Sequence, residues 1–83
     1  MKTLKRLCEE AMLTQTGLAS ACGVSKQTIW EWEHAYARPE PANLRKLVAI
    51  LGREPSEILD ALDATAEQAK KRAAAWRVAR TAA

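Results

Sequence analysis

Apolar and polar positions recur with a helical period along nearly all of this 83-residue chain. Leu4, Leu7, Cys8 and Ala11 fall at i, i+3, i+4 and i+7, opposite Lys5, Arg6, Glu9 and Glu10, which predicts a first helix over about residues 3–11. Met12 and Leu13 follow, and their bulk predicts a packed turn. Thr14 can cap a second helix, about residues 15–22, with Leu18, Ala19 and Cys22 inward. Gly17 inside it costs up to about 1 kcal/mol relative to alanine, so a close approach is expected there. Gly23 stands where a left-handed terminating residue is wanted, Val24 packs in the turn, and Ser25 caps a third helix with Ile29 and Trp32 inward. That helix must stop before Pro39. Pro41 suits the first position of a fourth helix, with Leu44, Leu47, Val48 and Leu51 as its stripe and Gly52 as its terminator. Pro55 opens a fifth, carrying Ile58, Leu59 and Leu62.

Past Leu62 the pattern thins without a breaker. Leu62, Ala66, Ala69, Ala73 and Trp76 keep a 4-3-4-3 spacing, a weak heptad-like stripe. The fifth helix is therefore expected to continue to about residue 79, roughly 25 residues or ~37 Å at 1.5 Å per residue. No strand pattern competes. The expected fold is all-α: five core helices over residues 1–62, and a basic, alanine-rich helical extension over residues 63–83.

Composition narrows this picture. A chain this short makes one domain and buries only about 60–65% of its unfolded surface. The 48% apolar fraction overstates the core, because 17 residues are alanine and none is phenylalanine. There is no run of about 18 apolar residues and no signal-peptide pattern, so a soluble, cytoplasmic protein is expected. Cys8 and Cys22 sit at apolar positions of two helical patterns; with no CxxC and one histidine, a zinc site lacks ligands, and two buried thiols are expected. His34 assembles with no nucleophile–acid pair, and no glycine-rich phosphate loop exists, which argues against an enzyme or a cofactor.

The net charge of +3 is unevenly placed. Residues 1–62 hold eight basic and eight acidic side chains, while residues 63–83 hold five basic and two acidic. The excess lies in the extension: it either tracks phosphates or forms the solvated face of a helix whose alanine stripe pairs with another subunit.

Residues 14–39 carry the chemistry. A small helix, a glycine turn and a second helix with outward polar side chains is the plan of a helix-turn-helix DNA reader. Gln27 can contact adenine N6 and N7 bidentately, and Lys26 can reach guanine O6 and N7 or a phosphate. Glu31 either accepts from cytosine N4 or bonds to Gln27 within its own helix. Trp30 faces outward, suiting a thymine methyl, a partner protein, or a fold-back over a neighbouring helix. Ser25 caps its helix at a terminus that also attracts phosphate.

The segment VSKQTIWEWE followed by RP resembles the Cro/C1 (XRE-type) helix-turn-helix family. The likeness extends to LKRLCEEAMLTQTGLA before it and PANLRKLVAILGREPSEIL after it, about residues 4–62, with the helices in the family's order. The resemblance implies a five-helix, lambda-repressor-like DNA-binding domain, usually a homodimer on an inverted repeat. It also implies backbone contacts from Gln15 and Ser25, base contacts from Lys26, Gln27 and Glu31 with Trp30 beside them, and a phosphate contact from Arg38.

Three positions depart from the family pattern. Cys8 stands where an arginine often pairs with the glutamate at Glu33, leaving Glu33 unpaired or turned to Arg6 or Arg38. Ala35 replaces the usual glycine after the third helix; a left-handed alanine costs about 1–2 kcal/mol, so an exit that runs on as helix is expected. Trp30 and Glu31 replace small polar and basic residues.

The expected function is a sequence-specific DNA-binding regulator, a dimeric repressor reading the major groove of double-stranded DNA. The alternatives are an antitoxin or phage-type autoregulator whose extension binds a protein partner, and a helix-turn-helix fold used only for protein interaction.

Overall fold

The computed structural model describes the backbone of residues 2–82 and the side chains of residues 2–76. Five helices form in the expected order: α1 (Leu4–Glu10), α2 (Gln15–Cys22), α3 (Lys26–Glu33), α4 (Pro41–Leu51) and α5 (Pro55–Ala82). Their starts follow local chemistry. Thr3, Thr14 and Ser25 each have extended backbone and accept through the side-chain hydroxyl from the N–H three residues on: Arg6 at 3.3 Å, Gly17 at 3.0 Å and Thr28 at 3.1 Å. Each bond satisfies one amide that the helix leaves unpaired. Pro41 opens α4 at a position where a missing N–H costs nothing.

The helix ends depart further from expectation. Gly23 is left-handed (φ 73°), and the N–H of Val24 reaches back to the Ala19 carbonyl at 3.0 Å, closing a Schellman turn. The same closure ends α1 and α3 without glycine. Met12 (φ 59°) precedes a Leu13 N–H to Cys8 carbonyl bond of 2.9 Å, and Ala35 (φ 62°) precedes a Tyr36 N–H to Glu31 carbonyl bond of 2.9 Å. Two expectations are thereby corrected. Ala35 takes the left-handed turn rather than prolonging the helix, and Met12 is 91% exposed while Leu13 alone packs against the core.

One wholly buried aliphatic side chain from each helix meets at the centre: Leu4, Leu18, Ile29, Leu47 and Ile58. Each stabilises the fold by about 1.5–3 kcal/mol relative to exposure. Leu7, Cys8, Cys22, Trp32, Leu51 and Leu62 surround them. α2 packs on α3 and α4, while α1 and α4 rest on α5. Leu59 is 45% exposed, and the buried face of α5 runs through Ile58, Ala61, Leu62 and Thr65. The Thr65 hydroxyl donates to the Ala61 carbonyl at 2.8 Å and accepts from the Leu4 N–H at 3.0 Å, so the first amide of α1 is satisfied from α5. α5 continues unbroken through 28 residues, past the expected end near residue 79, and about 42 Å of helix gives the molecule its 45 Å long axis.

Candidate nucleic-acid interface

The Schellman turn at Gly23 sets α3 against α2, and Ile29 and Trp32 anchor α3 to the core. That anchoring leaves the opposite face of α3 outward, with Ser25, Lys26, Gln27 and Trp30 exposed. Gln15, at the first position of α2, joins Lys26, Gln27 and Trp30 in lining a shallow concavity of about 350 Å³. Four of the seven side chains expected to touch DNA therefore share one surface. Among the described residues Lys26 has no ion-pair partner, so its charge faces that surface uncompensated.

The other three stand differently. The Ser25 hydroxyl is engaged as the α3 cap and lies 2.9 Å from the Thr28 hydroxyl. Glu31 is half-buried, and no hydrogen bond joins its side chain to Gln27; its carbonyl instead takes part in the α3 exit turn. Arg38 forms a 3.1 Å ion pair with Asp63, tying the α3–α4 connection to α5. Both partners are well exposed, so the pair is weak and its guanidinium can exchange partners.

Glu33 has a partner that the sequence does not announce. It is 9% exposed, and the Gln15 amide Nε2 donates to its Oε1 at 2.5 Å; Arg6 pairs with Glu10 and Arg38 with Asp63 instead. Gln15 thus fills the role expected of an arginine at position 8. One amide N–H is committed inward, and the remaining N–H and the carbonyl stay available. Cys8 lies near the same carboxylate, and burial together with Glu33 pushes its thiol up to about 12. Burial likewise raises Cys22. Neither thiol is a nucleophile at neutral pH.

Trp30 is held by an aromatic stack. The His34 ring lies 4.3 Å from it at 24° and the Tyr36 ring 5.3 Å from it at 9°, while His34 Nδ1 lies 2.8 Å from the Trp30 carbonyl oxygen. Ala35 makes this possible, because its left-handed backbone turns Tyr36 back over the helix end. Tyr36, 73% exposed, extends the outward surface, although helical periodicity does not single it out. Lys46 closes the far side of the unit by donating to the Cys22 carbonyl at 3.0 Å, a cation at the negative end of α2.

The family model for the Cro/C1-type helix-turn-helix, HTH_3, matches residues 4–58, about two thirds of the chain. The chain belongs to the helix-turn-helix family. Its membership supports a DNA-binding regulator built on α2 and α3. No curated protein and no solved structure matches the chain. Among the described residues, no helix is long and apolar enough to cross a membrane, and no group of three or more His, Cys, Asp or Glu could hold a metal ion.

Proposed function

We propose that this helix-turn-helix protein is a sequence-specific transcriptional regulator acting as a dimeric repressor, with α3 entering the major groove. The supporting observation is the shared surface of Gln15, Lys26, Gln27 and Trp30 around the α2–α3 turn. Gln27 reads adenine, Lys26 reads guanine or holds a phosphate, and Trp30 packs on a thymine methyl or sugar edge. Gln15 and Ser25 approach the backbone from two helix N-termini, where amides and dipole both favour phosphate. Arg38 exchanges Asp63 for a phosphate. Glu31, half-buried on α3, accepts from cytosine N4 at the edge of the interface.

Mobility-shift and footprinting assays on the DNA upstream of its own gene test this reading directly. Gln27→Ala should weaken operator binding by about 1–3 kcal/mol and relax preference at one base pair. Weak, sequence-independent binding by the wild type at physiological salt would sink the specific-regulator reading. The exposed stack of Trp30 and Tyr36 favours a second reading, a surface for a partner protein. Joint replacement of Lys26 and Gln27 by alanine separates the two, because only DNA binding depends on both.

A further inference from the structure

Along α3, Lys26 and Gln27 lie one turn before Trp30 and His34 lies one turn after it. A tryptophan 37% exposed on an outward helix face keeps more than one staggered χ1 and a broad χ2 unless neighbours select among them. Two neighbours do. His34, at the end of α3, has its Nδ1 2.8 Å from the Trp30 carbonyl oxygen. A carbonyl only accepts, so Nδ1–H donates, and this bond holds the imidazole 4.3 Å from the indole. Tyr36 arrives from the reversed chain. Its N–H and that of Ala37 both donate to the Glu31 carbonyl, at 2.9 and 3.4 Å, and its ring lies within 9° of parallel to the indole. Trp30 lines the concavity with Gln15, Lys26 and Gln27, whereas His34 and Tyr36 do not. Their effect on that surface passes through the indole.

We propose that His34 and Tyr36 are positioning residues for DNA recognition, holding the Trp30 indole where it packs on the 5-methyl group of one thymine. The proposal rests on the DNA-reading function above and names the chemistry that Trp30 selects. Gln27, three residues before Trp30 on the same surface, is placed to read a base edge, so the indole beside it faces the major groove too. The thymine methyl is the apolar group that bases present there. An indole free to turn could follow a sugar or a methyl alike. One held against two rings presents a fixed edge, and it is ordered before DNA arrives, which spares the cost of immobilising it on binding. The left-handed Ala35 belongs to this device, because it returns Tyr36 to the helix end.

Deoxyuridine supplies the test, because it removes only the 5-methyl group and leaves base pairing intact. On an operator half-site defined by footprinting, each thymine is replaced in turn and the DNA is titrated with the full chain. One replacement should raise the wild-type dissociation constant about fourfold, the effect of one buried methyl group. Tyr36→Leu should bind the two DNAs alike, and His34→Ala should act in the same way. Tyr36→Phe keeps the ring and should retain the wild-type ratio. Each ratio compares one protein on two DNAs, so a change in stability or overall affinity alone does not move it. In the DNA-free protein, Tyr36→Leu should also shift the Trp30 ring resonances in NMR spectra; unshifted resonances would overturn the stack that the proposal needs. A ratio that survives Tyr36→Leu would overturn the positioning role, and one lost in Tyr36→Phe would make the hydroxyl a contact of its own and overturn it too. Specific binding with no thymine sensitive to replacement would overturn the methyl assignment and leave the regulator standing. Wild-type binding without sequence preference would overturn the regulator reading as well.

Discussion

At the residue scale, Gln15 answers to two demands. A residue that only touched phosphate could be truncated without loss of stability. Gln15, however, supplies the side-chain hydrogen bond to a Glu33 carboxylate that is 9% exposed. Gln15→Ala should therefore lower stability by about 1–3 kcal/mol, the cost of stranding a buried acceptor, and also weaken DNA binding. Urea unfolding measures the first effect without DNA; an unchanged midpoint would show that water replaces the amide freely. Cys8 gives a second residue-level consequence. Its thiol is pushed to about 12 from an ordinary value of 9.0, by burial first and the Glu33 charge second. Below pH 9 the thiol is protonated in both folded and unfolded chains, and this group's contribution to stability is fully present. Between about pH 9 and 12 only the unfolded chain loses the proton, so stability falls as pH rises. Urea midpoints at pH 8 and pH 10 should differ more for the wild type than for Cys8→Ala. An equal difference would place the alkaline sensitivity elsewhere.

At the element scale, helix starts and helix ends differ in what they reveal. Thr3, Thr14 and Ser25 are legible as caps because capping depends on one side chain and the amide three positions on. Ends need a left-handed residue, and only Gly23 and Gly52 advertise one; Met12 and Ala35 adopt it without glycine, under the constraint of the Leu13-to-Cys8 and Tyr36-to-Glu31 backbone bonds that close their turns. For Ala35 the constraint includes the stack it builds, since the reversed chain brings Tyr36 onto Trp30. Both non-glycine positions carry strain. Met12→Gly and Ala35→Gly should each stabilise by about 0.5–1 kcal/mol, the relief of a left-handed Cβ less the extra freedom glycine gives the unfolded chain. Thermal or urea midpoints check this, and a destabilised Met12→Gly, at a position 91% exposed, would contradict the strain argument. The Gln15–Glu33 bond is illegible in the sequence for another reason. It joins residues 18 apart on two helices, and nothing in either local pattern distinguishes a buried glutamate from a solvated one. Thr65 is missed because the stripe read from Leu62 onward runs through Ala66 and Ala69, whereas the body grips the adjacent face of α5 through Ile58, Ala61, Leu62 and Thr65.

At the scale of the whole molecule, that slight rotation decides where the chain can be cut. By hydrophobic pattern alone residues 1–62 are self-sufficient, but the fold extends its grip to Thr65, whose hydroxyl holds the first amide of α1 from across the core. Ala64 is buried beside it. Ending the chain after Leu62 would remove both and strand the Leu4 N–H, at about 1–3 kcal/mol for the missing acceptor alone. A domain of this size has a stability near the low end of about 5–15 kcal/mol, so monomers obtained from that cut would confuse partial unfolding with failed assembly. Ending after Lys70 keeps every described buried side chain and removes Ala73 and Trp76. The longer truncation should remain helical and unfold cooperatively, sediment as a monomer, and bind a single half-site with α3 intact. It also removes Lys71, Arg72, Arg77 and Arg80. If those charges track phosphates, the salt dependence of half-site binding should fall by close to one unit for each phosphate no longer neutralised; if the extension serves assembly alone, the slope per protomer should stay unchanged. Sedimentation and salt titration of this one variant therefore separate the two roles of the extension, and dimers that persist after Lys70 would assign assembly to another face of the body.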